Sequence, residues 1–164
     1  ILNGIKKIQK YIDNIHITVG YKGSVIAKHV IRNNVRSVIN TNNKGNAWWI
    51  FNFPFNLINE PVFVLTCDNI TNIDFSLIEK DYKKKGSPEC FLIPVNPVKD
   101  LEGDFIHKKK NIVISLSRKI KSDIYCSGIQ VVNPYKINKL IKKTEDFNKV
   151  WKNLMLKKNL KDLM

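Results

Sequence analysis

The chain has 164 residues, of which 43% are hydrophobic and 26% are charged, and its formal net charge is +14 at pH 7. This length and hydrophobic content exclude a disordered chain and predict one globular domain with its own core, and no apolar run approaches the ~20 residues that cross a membrane. The charge has three interpretations: a bias towards lysine on solvated faces, which we favour, attraction of anionic nucleotides or sugar phosphates, or nucleic-acid binding.

The first half of the chain alternates helices and strands. Helices are predicted at residues 1–12, 22–32, 47–58 and 76–84, the last of them with Ser76 as its cap. Strands are predicted at residues 15–19, 35–41, 62–65 and 89–95. Because such alternation is typical of right-handed crossover connections, we expect a Rossmann-like α/β fold, with a mostly parallel sheet and helices on both faces.

The second half of the chain has a different pattern. Three strands follow one another with polar turns and no helix between them, at residues 104–107, 111–117 and 124–132. They predict a small antiparallel lobe over one edge of the sheet. Asn133 and Pro134 predict a helix start, and a last helix from Thr144 to the chain end places Phe147 and Trp151 on one apolar face. We expect that face to pack on the sheet rather than on a membrane surface.

Several tryptophan, histidine and cysteine side chains could take part in binding or catalysis, but we expect them to have structural roles. Trp48 and Trp49 could stack on a base, but core packing is the commoner role of such residues. His16 and His29 have no metal-ligand types beside them in the sequence and are interpreted as structural. The three cysteines are scattered without a Cys-x-x-Cys pair, which favours reduced thiols and a cytoplasmic location. Cys67 has no nearby base and is expected to be a buried structural thiol.

The stretch most suggestive of chemistry runs from Val62 to Asp68. Residues 62–65 form an unbroken apolar run that suits a buried strand, and Asp68 follows it closely. In an open parallel sheet, ligands bind just beyond the carboxyl ends of the strands. A carboxylate at that point can hold a divalent cation, which in turn holds phosphate oxygens. The alternative, that Asp68 merely caps a turn, stays equally open on this motif alone.

Four stretches of the chain resemble, in the right order, motifs of the sugar-phosphate nucleotidyltransferases, the nucleoside-diphosphate-sugar pyrophosphorylase family. They are Val-Gly-Tyr-Lys at residues 19–22, Asn-Lys-Gly-Asn-Ala at 43–47, the strand and loop around Asp68, and Ile-Tyr-Cys-Ser-Gly-Ile-Gln-Val at 124–131. The resemblance implies a glycosyltransferase-A-like domain that joins a nucleoside triphosphate to a sugar 1-phosphate, giving a nucleoside-diphosphate sugar and pyrophosphate. Residues 1–164 would form a single domain of this kind. Because the family's glycine-rich triphosphate loop and its later aspartate find no match, we expect the N- and C-terminal ends of the domain to be lacking.

The same resemblance implies a role for seven residues. Asp68 would be the catalytic residue and the ligand of Mg²⁺. Gly45 and Asn46 would lie along the nucleotide. The positions along the sugar phosphate would be Gly103, Lys119, Ser127 and Gly128. A homo-oligomer is compatible with this assignment, whereas nucleic acid and membranes are not expected as partners.

Three other functions stay open at this point. A cytidylyltransferase acting on a small alcohol phosphate shares the implied domain. A non-catalytic homologue would explain why Cys67, Ser117 and Cys126 replace a glycine, a glutamate and an asparagine of the family motifs. A basic nucleic-acid-binding module would need aromatic residues interleaved with lysines on an exposed sheet face, and the aromatic residues fall mainly at core-like positions.

Overall fold

A computed structural model describes residues 1–67, 72–100 and 102–163. Its α-helices are α1 (Leu2–Ile8), α2 (Gly23–Val30), α3 (Phe75–Lys84), α4 (Pro134–Leu140) and α5 (Phe147–Leu156). Its strands are β1 (His16–Val19), β2 (Ser37–Asn40), β3 (Val62–Val64), β4 (Cys90–Val95), β5 (Phe105–Lys109), β6 (Ile112–Ser117), β7 (Tyr125–Val132) and β8 (Leu160–Asp162). The chain is therefore of the α/β class, as predicted.

The larger sheet is mixed rather than mostly parallel, which corrects that part of the prediction. β1 and β2 form a parallel pair, and the larger sheet has the order β3-β7-β4-β8-β6-β5. In it, β3, β4 and β8 run in one direction and β7 and β6 in the other. β7 lies between β3 and β4, and its residues 129–132 are all buried. This strand therefore belongs to the core and not to an edge lobe.

The antiparallel lobe consists of the β5–β6 hairpin alone. β5 pairs with β7 at Phe105 and Tyr125, and β6 pairs with β8 at Ile112 and Lys161. The hairpin therefore joins two strands that already belong to the larger sheet, and these pairings close a ring of β7, β4, β8, β6 and β5.

Helices cover both faces of the larger sheet, as the alternating pattern predicted. One face packs against α4, α5 and the segment 47–58, with Leu92 and Leu154 fully buried between the layers. The other face packs against α3, where Ile78 and Tyr82 contact the cluster around Phe91. In the part of the chain that the structure describes, every helix is too short or too polar to span a bilayer.

Residues 47–58 do not form the predicted helix. They form two short 3-10 turns, Trp48–Phe51 and Phe55–Leu57, separated by an extended residue at Asn52. Pro54 explains the break, because proline lacks the N–H that an α-helix interior requires and disfavours helical geometry in the residue before it. Trp49, Phe51 and Phe55 still enter the core, whereas Phe53 is exposed. Trp49 is only 9% exposed, so the core interpretation is confirmed for it.

The last described element of the chain is a strand, Leu160–Asp162, and not the end of the predicted helix. α5 ends at Leu156, Lys158 adopts a left-handed backbone conformation (φ 58°), and β8 then pairs with both β4 and β6. Leu160 is fully buried in the main core. Tertiary packing of this side chain therefore overrides the helical periodicity of the preceding residues.

α3 is capped by Asp74 and not by Ser76, which corrects the predicted capping box. The Asp74 carboxylate accepts a hydrogen bond of 2.9 Å from the backbone N–H of Leu77. We expect Asp74→Ala to lower the free energy of unfolding by ~1 kcal/mol, because a helix N–H loses its partner. Ser76→Ala is the matched control and should change it by less than ~0.5 kcal/mol in urea unfolding. Equal losses in the two variants would contradict the assignment of the cap.

Candidate functional site

The carboxyl end of β3 is the place where the sequence predicted a ligand site. Val64, the last residue of β3, aligns across the sheet with Gln130 of β7, Leu92 of β4 and Asp162 of β8. The chain then leaves the sheet through the exposed residue Cys67. The predicted catalytic residue, Asp68, lies outside the described residues.

A bulge in β7 brings Ser127 and Gly128 beside this end of β3. The β4–β7 register passes from Leu92–Gln130 to Pro94–Cys126, so β7 contains extra residues opposite Ile93. The Ser127 hydroxyl donates a 2.6 Å hydrogen bond to the carbonyl of Ile93 and accepts one of 3.1 Å from Ile129. Gly128 has φ of 80°, a conformation that glycine adopts without strain. Bulges of this kind often lie next to active sites, where they interrupt the ladder and free backbone groups.

Gly103 lies against the first residue of β7. A Cβ atom at Gly103 would be 2.5 Å from the Tyr125 ring, so this position accepts only glycine unless the ring moves. The Tyr125 hydroxyl in turn accepts a hydrogen bond of 3.3 Å from the backbone of Val98. The structure therefore places three of the predicted sugar-phosphate residues, Gly103, Ser127 and Gly128, along the first half of one strand.

Lys119 occupies the turn that follows β6. Its side chain is exposed, and its backbone N–H donates a 3.2 Å hydrogen bond to the Ser117 hydroxyl. The neighbouring Arg118 makes an ion pair of 3.1 Å with Asp104. The Lys119 ammonium is thus solvated and able to contact an anion.

Gly45 and Asn46, the predicted nucleotide residues, dock on the segment that precedes α5. The backbone N–H of Gly45 donates to the Glu145 carboxylate at 3.3 Å, and that of Ala47 donates to the Glu145 carbonyl at 3.0 Å. The Asn46 side-chain oxygen accepts a 3.0 Å hydrogen bond from the N–H of Phe147, the first residue of α5. The loop is therefore held by residues about 100 positions away in the sequence.

Gly45→Ala tests this docking. A Cβ at position 45 would lie 1.9 Å from the carbonyl oxygen of Glu145, so the loop or the start of α5 must move. We expect a loss of about 1–3 kcal/mol in the free energy of unfolding, as for other overpacked contacts. Gly20→Ala is the control, since a Cβ there meets nothing within 4 Å. If Gly45→Ala is as stable as the control, the close contact with Glu145 is wrong.

Asp162, at the carboxyl end of β8, is a buried carboxylate that the sequence analysis missed. It is fully buried, its Oδ2 atom accepts a 2.6 Å hydrogen bond from Lys108, and its backbone carbonyl accepts one from Lys85. Its Oδ1 atom has no hydrogen-bond partner among the residues described. Nor does the described part of the chain hold a group of three or more His, Cys, Asp or Glu side chains able to bind a metal. The sequence signal was hidden because residues 160–162 were assigned to a helix.

The three cysteines differ in their surroundings. Cys67 is exposed, which corrects the expectation that it is a buried thiol. Burial, the largest influence, raises the pKa of the Cys126 thiol to about 11. Burial likewise raises the pKa of Cys90, whose thiol donates to the Gln130 side chain. Thiolate chemistry at neutral pH is therefore disfavoured at Cys126 and Cys90.

Alkylation by iodoacetamide at pH 8 should modify Cys67 and leave the other two thiols intact. With the pKa of Cys126 raised to about 11, about one thiol in a thousand is ionised at that pH, and burial limits access further. Peptide mass spectrometry measures the result, and Cys67→Ser should abolish labelling of the folded protein. Modification of Cys126 as fast as Cys67 would contradict the burial of the β7 thiol.

Comparisons with known proteins place this fold among nucleotidyltransferases. A Bacillus anthracis protein assigned as a glucose-1-phosphate thymidylyltransferase and solved with sucrose aligns with a TM-score of 0.72 at 15% identity, over 97% of this chain and 70% of its own. The inositol-1-phosphate CTP transferase of T. maritima aligns with a TM-score of 0.71 at 14% identity, over 99% and 70%. HddC of Yersinia pseudotuberculosis aligns with a TM-score of 0.62 at 20% identity, over 83% and 62%.

At these identities the likeness establishes the fold. Neither a protein-family model nor a curated protein sequence matches the chain. The resemblance to the sugar-phosphate nucleotidyltransferases that the sequence motifs suggested is thus confirmed at the level of the three-dimensional structure.

Proposed function

We propose that this protein is a nucleotidyltransferase of the sugar-phosphate nucleotidyltransferase family, which makes a nucleoside-diphosphate sugar and pyrophosphate from a nucleoside triphosphate and a sugar 1-phosphate. The observation that carries the proposal is the β7 bulge at Ser127 and Gly128, next to the carboxyl end of the strand that leads to Asp68. It lies in a fold that structures of nucleotidyltransferases share.

The reaction needs no protein nucleophile. An oxygen of the sugar phosphate attacks the α-phosphorus of the nucleotide in line, the bond to the β-phosphate oxygen breaks, and pyrophosphate leaves. Catalysis then consists of holding the two substrates in line and stabilising charge on the phosphoryl oxygens. The Cys126 thiol, beside the bulge in β7, is not available as a nucleophile at neutral pH, because burial raises its pKa to about 11.

The proposed binding residues form two groups, one at and beside the bulge in β7 and one on the loop at residues 45 and 46. Ser127, Gly128 and Gly103 offer a backbone surface without large side chains, along which a sugar can lie close to the main chain. Lys119 supplies a mobile positive charge for phosphate. Gly45 and Asn46 form the nucleotide side, on a loop that Glu145 and Phe147 hold in place.

Magnesium is part of this proposal, with Asp68 as its ligand. The unpartnered Oδ1 of Asp162 does not fit as a second ligand, because this fully buried carboxylate pairs with Lys108 and lies on β8, three strands or ~14 Å across the sheet from β3. Asp68 would hold the ion. When bound, Mg²⁺ supplies positive charge that offsets the negative charge of the phosphoryl oxygens.

The phosphate-bearing substrate can be a sugar phosphate or a small alcohol phosphate, and a substrate panel separates the two. Full-length protein is incubated with each nucleoside triphosphate, Mg²⁺, and either glucose 1-phosphate, inositol 1-phosphate or choline phosphate, and products are resolved by anion exchange. We expect one nucleotide to be joined to a sugar phosphate. If nucleotide is joined only to inositol 1-phosphate or choline phosphate, the substrate is an alcohol phosphate and not a sugar phosphate.

Three unbonded thiols support a reducing compartment, and we place the activity in the cytoplasm.

A further inference from the structure

Three lysine-rich segments, far apart in the sequence, meet beside β8. They are residues 83–86, 108–111 and 157–161, which together contain nine lysines and no acidic residue. Lys161 donates a 2.6 Å hydrogen bond to the carbonyl of Lys85, and it also pairs with Ile112, next to the tip of the β5–β6 hairpin. Composition bias explains many lysines, but it does not require that the fold bring three such segments together.

Most of this charge is not compensated. Lys83, Lys85 and Lys108 form ion pairs with Glu79, Asp81 and Asp162. In the three ranges of residues described, the other six lysines of these segments have no ion-pair partner: Lys84, Lys109, Lys110, Lys157, Lys158 and Lys161. Like charges held close together repel one another and favour a bound anion.

A cavity of about 400 Å³ lies where the segments meet. It is lined by Lys84, Lys85, Gly86, Asn111 and Lys161. This volume falls within the range of about 300–1,000 Å³ that is usual for small-molecule sites. It lies at the C-terminal end of α3, a helix of 10 residues, and is thus ~15 Å along the helix axis from the N-terminal end of that helix at Phe75.

We infer that this cavity, which we call the lysine cavity, binds a compact anion carrying several phosphates, at a site separate from the nucleotidyl-transfer site. Lysine ammonium groups supply several rotatable donors but no planar fork, so they suit clustered phosphates more than a single carboxylate. None of the three segments contains an aromatic residue, so a base has nothing to stack on and single-stranded nucleic acid is disfavoured. The inference does not depend on the proposed nucleotidyl transfer.

Isothermal titration calorimetry with inorganic tripolyphosphate tests this inference, on the full protein in EDTA at low salt. The test variant is Lys84→Gln/Lys110→Gln, in which both substituted side chains are exposed. The matched control is Lys28→Gln/Lys142→Gln, which removes the same charge from exposed positions outside the three segments. We expect the test variant to bind roughly tenfold more weakly or worse, because charge-assisted hydrogen bonds are lost, and the control to bind within about twofold of wild type.

Several results would overturn the inference. The inference is wrong if wild type does not bind tripolyphosphate, or if both variants are weakened equally. It is also wrong if the test variant binds as tightly as wild type, because the anion would then bind elsewhere. A second arm offers a 20-base-pair RNA duplex and phosphatidylserine vesicles. If either of them binds more tightly than tripolyphosphate, and that binding depends on Lys84 and Lys110, the lysine cavity binds that macromolecule and not a compact anion. Thermal unfolding of both variants within about 2 °C of wild type confirms that the fold is intact.

Discussion

Asp68→Asn is expected to lower the rate of nucleotidyl transfer by roughly 10²–10³-fold, the loss that follows when a group stabilising transition-state charge is removed. Asparagine keeps the size of the side chain but not its negative charge, so it weakens the hold on a divalent cation. The measurement is the rate of pyrophosphate release at saturating substrates and Mg²⁺. Circular dichroism and urea unfolding report whether the fold persists.

The matched control for this prediction is Asp13→Asn, an exposed carboxylate in the turn after α1. It removes the same charge, and we expect a rate within about twofold of wild type, since surface substitutions away from special features have small effects. A folded Asp68→Asn variant that retains wild-type activity would remove Asp68 from the mechanism. Equal losses in both variants would indicate an effect of net charge and not of this position.

The second large effect is expected for Lys108→Met. The ammonium of Lys108 lies 2.6 Å from the carboxylate of Asp162, which is fully buried. Removing one partner of such a pair leaves a buried charge without compensation, and we expect a loss of about 3–5 kcal/mol in the free energy of unfolding. Urea unfolding followed by tryptophan fluorescence measures it.

Two comparisons define the Lys108 prediction. Lys109→Met removes the neighbouring exposed lysine, which has no ion pair in the described chain. It should lower the free energy of unfolding by less than ~0.5 kcal/mol. Lys108→Met/Asp162→Asn removes the buried charge as well as its partner, so it should be less destabilised than the sum of the two single variants. Additive losses in this double-mutant cycle would show that the two side chains do not interact.

Local features of the fold could be predicted from the sequence, because they depend on neighbouring residues. The apolar runs at β3 and β4 predicted both strands, and Asn133 with Pro134 predicted the start of α4, where Asn133 caps the helix. The predicted cap of α3 was two residues away from the observed one, since Asp74 is also a capping residue type and its carboxylate accepts from the N–H of Leu77. Boundaries of this kind are decided by local geometry that a pattern does not specify.

The arrangement of the strands could not be predicted in the same way. β7 pairs with β3 across a separation of about 70 residues, and nothing in either strand identifies its partner. β8 has three residues, too few to show a period, and it is a strand because Leu160 fills the core. A pattern of alternating helices and strands indicated the class of fold, whereas the order and direction of strands depend on packing between distant segments.

In the candidate site, too, local motifs could be predicted from the sequence, whereas contacts between distant segments could not. Sequence motifs identified Ser127 and Gly128, and the structure shows that they form a bulge beside β3. The attachment of Gly45 to Glu145 depends on a contact over 100 residues, and the burial of Asp162 depends on Lys108. Neither contact can be predicted from the neighbouring residues in the sequence, so both were found only in the three-dimensional structure.

The most direct measurement follows an α-labelled nucleoside triphosphate and a sugar 1-phosphate through turnover by the full protein with Mg²⁺. The proposed reaction predicts that label passes to a nucleoside-diphosphate sugar, that pyrophosphate appears in equal amount, and that both products require the second substrate. A folded protein that leaves every nucleotide intact, or that hydrolyses the nucleotide equally well without a phosphate-bearing acceptor, would contradict it.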